Sequence, residues 1–124
     1  MRLLLDTHVL LWWLQGAPLA EGAADRIAEP SNDVIISAAT VWELSIKRQL
    51  GKVDMPPDLV DQCRSQGFAF LAMDARHAER AGSLPLNHAD PFDRMLVAQA
   101  ELETLILVTR DRALASYGVQ VLDA

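Results

Sequence analysis

Apolar residues in this chain fall into short runs, each closed by a polar residue or a turn. The runs predict five strands: Arg2–Leu5, Val34–Ser37, Phe68–Met73, Leu105–Thr109 and Val119–Leu122. Their near-continuous hydrophobicity is that of strands covered on both faces, as in a parallel sheet flanked by helices. Helical spacing fills the intervals, over His8–Gln15, Leu19–Ala28, Ala38–Leu50, Pro57–Ser65, Ala75–Leu84, Pro91–Glu103 and a short Arg112–Ser116. Strands alternating with helices imply a three-layer α/β/α sandwich, a central parallel sheet of about five strands joined by right-handed crossovers. Where two helices separate consecutive strands, there is room for a helical lobe beside the sheet. No repeat or linker divides residues 1–124, so one domain is expected.

Local signals sharpen the helix ends. Asp90-Pro91-Phe92-Asp93 reads as N-cap, N1, N2 and N3 of a strong helix start. Thr40-Val41-Trp42-Glu43 matches the spacing of a capping box. Asp6 and Asp111 are placed to cap the first and last helices, and Gly51 suits the position just past a helix end.

Composition narrows the class. A chain of 124 residues, 51% hydrophobic, buries about two-thirds of its unfolded surface without staples. The single cysteine, Cys63, forms no internal disulfide and reads as a small buried hydrophobe. The apolar run after Met1-Arg2 is too short for a signal peptide, and Val9–Leu14 is too short to span a bilayer. A cytoplasmic protein is the expectation. The net charge of −6 argues against a general polyanion binder, because such binding is driven by excess Lys and Arg.

Acidic residues change the picture. Asp6, Glu43, Asp93 and Asp111 lie on four segments, each at or near the carboxyl end of a strand or the start of a helix. A parallel sheet gathers such ends on one rim, where these folds bind ligands. Capping explains each acid singly, but four uncompensated carboxylates on one rim repel one another and cost stability. A hard cation gives a reason to collect them, so the pattern points to bound Mg²⁺ or Mn²⁺ and to metal-assisted hydrolysis of a phosphodiester. No Ser-His-Asp or Cys-His pairing is legible. His8 is placed to reach the rim and His88 to support it from behind, whereas His77 reads as helix surface.

Asp6-Thr7-His8 after a short strand, Trp42-Glu43-Leu44-Ser45-Ile46-Lys47, His88-Ala89-Asp90-Pro91-Phe92-Asp93-Arg94 and Leu107-Val108-Thr109-Arg110-Asp111 together resemble a PIN-domain ribonuclease of the VapC toxin type. The resemblance runs essentially end to end. It implies a Mg²⁺- or Mn²⁺-dependent endoribonuclease whose metal ligands are Asp6, Glu43, Asp93 and Asp111, with Asp90 as helix cap or auxiliary ligand. Thr109 then orients Asp111 or a metal-bound water. It also implies an RNA substrate, a homodimer, and inhibition by a VapB-type antitoxin that lays a segment across the site.

Within that frame Lys47, Arg48, Lys52, Arg94, Arg110 and Arg112 are candidates for gripping RNA phosphates, with a structural pairing of Arg94 to Asp90 or another acid as the alternative. Adjacent Trp12 and Trp13 cannot both face one core, so one of them is expected at a surface or a partner interface. Two other functions fit less of the chain. A non-catalytic module keeping the same fold has no need of all four acids. A phosphoacceptor receiver domain would use Asp74 after the third strand, but Lys47 and Lys52, the only lysines, lie far from the last two strands.

Overall fold

A computed structural model describes residues 1–124, and its elements follow the predicted order. These are β1 (Arg2–Leu5), α1 (Thr7–Gln15), α2 (Glu21–Ala28), β2 (Asp33–Ser37), α3 (Ala38–Gln49), α4 (Leu59–Ser65), β3 (Ala69–Leu71), α5 (Ala75–Ser83), α6 (Pro91–Glu103), β4 (Ile106–Thr109), a 3₁₀ turn (Arg112–Tyr117) and β5 (Val121–Asp123). All four strand pairings are parallel, in the order β3-β2-β1-β4-β5.

Alternation along the strands builds two cores. Leu3, Leu5, Val34, Ile36 and Val108 face one side, where Val9, Leu10, Ala23, Ile27, Leu59 and Cys63 of the helices meet them. Leu4, Ile35 and Leu107 face the other, packed on Ala81, Leu96, Val97 and Ala100. The three leucines of β1 have no exposed surface at all, which is why its sequence is continuously apolar. Cys63 is equally inaccessible, and burial pushes its thiol up to about 11. None of the helices is long and apolar enough to cross a membrane.

The differences from the sequence reading fall mostly at the sheet edges. β3 is three residues rather than Phe68–Met73, because only Ala69, Phe70 and Leu71 find partners on β2, while Phe68 spends its ring in the core instead. β5 begins at Val121 and ends at Asp123, in register with Leu107–Thr109. Thr40 and Glu43 do not form a capping box. Ser37 is the N-cap of α3, its Oγ accepting from the Ala39 amide at 3.0 Å, so the helix starts directly off β2. That places Thr40 and Glu43 inside the helix and frees both side chains for the rim.

Sheet order also decides between folds. The chain runs outward from β1 through β2 to β3, then returns to the other side of β1 for β4 and β5. The reversal opens a crevice between the carboxyl ends of β1 and β4, the usual ligand position in open α/β sheets. A receiver-type order, 2-1-3-4-5, would put β3 in the centre. Here β3 is at the edge and Asp74 caps α5, its carboxylate accepting from the His77 amide at 3.1 Å. The receiver reading is excluded.

Candidate metal centre

Asp6 ends β1 beside that crevice. Its amide continues the ladder to the Val108 carbonyl at 2.9 Å. One carboxylate oxygen caps α1 through the His8 amide at 3.3 Å, and the other accepts the Thr109 hydroxyl at 2.6 Å. Thr109 was expected to orient Asp111 or a water. Its side chain orients Asp6 instead, and only the Asp111 amide, donating to Thr109 Oγ1 at 3.0 Å, links it to Asp111.

Glu43 lies in the second turn of α3, where it turns back toward the same rim. One oxygen accepts the Thr7 hydroxyl at 2.7 Å and the other meets Lys47 Nζ at 2.8 Å. Thr7 Oγ1 also sits 3.2 Å from Thr40 Oγ1. These two buried threonines position Glu43; the sequence suggests only a helix-cap role for Thr40 and none for Thr7. Lys47, expected to grip RNA, is committed to Glu43 as an i,i+4 partner.

Asp90 caps α6 as predicted, accepting from the Phe92 amide at 2.8 Å and from the Asp93 amide at 3.4 Å through one oxygen. Asp93, one turn on, faces the rim. Desolvation first, then the charges of Asp6, Asp90 and Glu43, push its carboxyl up to about 7, with His88 opposing. The effect of those neighbours on one carboxyl is the electrostatic signature of convergence. Asp111 caps the 3₁₀ turn through the Ala113 amide at 3.0 Å and turns its second oxygen toward His88.

His88 is the residue that the sequence reading underweighted. Its Nδ1 accepts the Asp90 amide proton at 3.2 Å, so the ring proton sits on Nε2, 3.1 Å from Asp111 and 3.4 Å from Asp93. His88, Asp93 and Asp111 offer ligand atoms within 4.8 Å of one another, a set that excludes Asp6 and Glu43. The imidazole Nε2 thus lies between the carboxylates of Asp93 and Asp111. The spacing His88-x-Asp90 was the available signal, since an imidazole two residues before an N-cap can accept the cap's own amide proton.

Asp74, His77 and Glu103 form a second group of comparable closeness at the other end of α6. His77 is buried, not on the helix surface as the sequence suggested. Its Nδ1 accepts the Asp74 amide at 3.1 Å and its Nε2 meets Glu103 at 2.8 Å. Arg76 already bridges Asp74 at 3.0 Å and Glu103 at 2.9 Å. Hydrogen bonds from His77 first and Arg76 second hold both carboxyls below the usual range. A guanidinium fills the cation's role there, so the group is a brace between α5 and α6. Around the rim acids no guanidinium does so, and their hard oxygen donors fit a divalent ion.

Arg94 serves neither of the roles expected of it. Buried beneath the loop that precedes α6, it donates to the carbonyls of Ala81, Leu84, Pro85 and His88 at 2.8–3.2 Å. Trp12 and Trp13 are both half-buried. Trp13 Nε1 donates to Gln66 at 3.1 Å, and the Arg110 guanidinium lies 3.9 Å from the Trp12 ring centroid.

A parallel five-stranded sheet with an acidic rim at its topological reversal is the architecture of a PIN domain. The PIN domain family model matches residues 3–120, and the chain belongs to that family. A curated relative, Ribonuclease VapC22 of Mycobacterium tuberculosis, is 26% identical over 117 residues, 92% of this chain and 90% of that protein. Among solved structures, the DNA-bound VapBC complex from Salmonella typhimurium matches with a TM-score of 0.73 at 21% identity, over 99% of this chain and 98% of the other. FitAcB from Neisseria gonorrhoeae matches at 0.66 and 24%, over 97% and 96%. At such identities the solved structures speak for the fold.

Proposed function

We propose that residues 1–124 act as a single endoribonuclease domain, the toxin of a VapBC-type pair, working in the cytoplasm with Mg²⁺ or Mn²⁺. Asp6, Glu43, Asp93 and Asp111 are the ligands in this reading, with Asp90 in support. The observation that carries it is the upward shift of Asp93, raised first by burial and then by the charges of Asp6, Asp90 and Glu43, an arrangement that folding alone gives no reason to retain. A divalent ion held by these residues would neutralise that charge and supply Lewis acidity for phosphodiester hydrolysis. The chain's part is to hold the donors rigid: Thr109 fixes Asp6, Thr7 and Lys47 fix Glu43, and Asp90 fixes the ring of His88. Similarity to a protein named as a ribonuclease, and to toxin–antitoxin complexes, supports the assignment.

The test is cleavage of purified RNA. Activity is expected with Mg²⁺ or Mn²⁺ and a loss of at least about 100-fold in EDTA, a divalent ion being worth several kcal/mol at the transition state. Expression should arrest growth, and co-expression of a small protein encoded beside it should restore growth. RNA left intact under every metal condition would end the nuclease reading.

A partner surface adjoins the acids. Ala39, Trp42, Ile46, Met73, Pro91, Phe92 and Met95 line an open groove of about 350 Å³ between α3 and α6, and Trp42 is 58% exposed. The groove's lining is almost wholly apolar, with Trp42 edge-on to Phe92 at 5.3 Å, and we assign it to self-association as a homodimer. Light scattering is expected to give twice the chain's mass of 13.7 kDa; a single-chain mass at micromolar concentration would overturn the dimer.

A further inference from the structure

Six cations are candidates for holding RNA. Lys47 is paired with Glu43, and Arg94 is consumed by four main-chain oxygens. Arg48, whose Nε donates to the Met55 carbonyl, Lys52 and Arg112 are exposed but line no cavity with the acids. Arg110 is different. It lies between Thr109 and Asp111 and lines a cavity of about 410 Å³ with Asp6, His8, Trp12 and Asp111. Its Nη2 donates to the Pro18 and Ala124 main-chain oxygens at 2.9 and 3.2 Å, which leaves Nε and Nη1 without partners.

The walls of that cavity suit an unpaired base. His8 and Trp12 are i and i+4 on α1, so they share one helix face. Their ring centroids are 5.8 Å apart with planes inclined by 36°. Arg110 stacks on Trp12 at 3.9 Å. The His8 side chain is 58% exposed, and its Nδ1 lies 4.0 Å from an Asp6 carboxylate oxygen. No buried contact accounts for its presence. The helix carrying His8 and Trp12 is the one that Asp6 caps, and Arg110 adjoins Asp111. Phosphate contacts and base contacts therefore fall on the same two strand ends as the acids.

On the nuclease reading above, we propose that His8, Trp12 and Arg110 form the seat of a nucleotide beside the cleaved phosphate. The base stacks on the His8–Trp12–Arg110 shelf, and the free N–H groups of Arg110 take its phosphate. Single-stranded RNA is recognised by this pairing of aromatic or guanidinium planes with a cation, because only unpaired bases expose their faces. The preferred substrate is then RNA with an unstacked loop or end, not a continuous duplex. In a chain of net charge −6, binding depends on such a local cation rather than on the overall field.

The experiment uses the full chain in Mg²⁺. Cleavage kinetics of a single-stranded oligoribonucleotide are compared for wild type, His8→Ala and Arg110→Gln. Binding of the same labelled RNA is followed by fluorescence anisotropy in the cleavage-deficient Asp93→Asn background. Each variant is expected to raise KM about tenfold with kcat changed less than about threefold. Arg110→Gln should also flatten the salt dependence of binding by about one phosphate contact, while His8→Ala leaves that slope alone. Arg110 ties two main-chain oxygens, so its variant is read beside His8→Ala, which breaks no side-chain hydrogen bond of the fold. If wild type cleaves and both variants keep its KM and salt slope, the seat is overturned and the nuclease reading stands. If wild type binds without cleaving, the anisotropy of the variants decides the seat alone. A wild type that neither cleaves nor binds overturns both.

Discussion

Asp93→Asn is expected to lower RNA cleavage by roughly 10³-fold or more and, at the same time, to make the metal-free protein more stable. The two effects come from one cause. In the folded chain this carboxyl is raised from its ordinary 3.8 to about 7, so the protonated form is favoured by folding. Its contribution is therefore fully present below about pH 4, fades as pH rises from there through 7, and is flat above. That rise corresponds to a ceiling of about 4 kcal/mol at pH 8, and allowing for solvent screening about 2 kcal/mol is expected. Against that stands the attraction of a first-turn carboxylate to the N-terminus of α6, worth about 0.3–1 kcal/mol. Burial and repulsion together win, and the neutral amide is the more stable side chain.

Thermal melts from pH 4 to 8 in EDTA check the sign. Wild type should lose stability across that range relative to Asp93→Asn, and Mg²⁺ should restore wild type without affecting the variant. A variant less stable than wild type at pH 8 in EDTA would contradict the proposed repulsion. Retained cleavage would remove Asp93 from the ligand set.

The second large effect is structural. Arg94→Ala leaves four carbonyls, of Ala81, Leu84, Pro85 and His88, without their donor and opens space beneath the loop ahead of α6. Buried acceptors stripped of a charged donor cost about 1–3 kcal/mol each, partly recovered by water, so about 3–5 kcal/mol is expected from denaturant midpoints. Lysine should rescue little, since its point charge cannot span four oxygens held by a planar fork. Because the same loop carries His88 and Asp90, cleavage should fall even where the variant remains folded. A stability change under about 1 kcal/mol with weakened RNA binding would return Arg94 to the phosphate-gripping role that its charge alone suggests.

These two residues are neighbours in sequence and opposites in legibility. Asp93 announced itself by its place at N3 behind a clear N-cap and proline, as Asp6 did by ending an apolar run. Arg94 looked like a surface cation, because nothing local reports that a later fold will close a loop over it. His77 misled in the same way: the partner that explains its burial, Glu103, stands 26 residues away on another helix. The false capping box at Thr40–Glu43 has a related origin, since Ser37 three residues earlier satisfied the helix start first.

The sequence by itself determined the parallel five-stranded sheet, the helices around it and the four acids near strand ends, because periodicity and helix-end chemistry are local and repeat within a few residues. Tertiary structure decided the strand order, and with it that β1 and β4 adjoin and open a crevice. It also decided which threonine holds which carboxylate, that His88 lies between Asp93 and Asp111, and that Arg110, unlike Lys47 or Arg94, lines a cavity with the acids. Each of those outcomes depends on a hydrogen bond or ion pair whose partner is chosen only when distant segments meet.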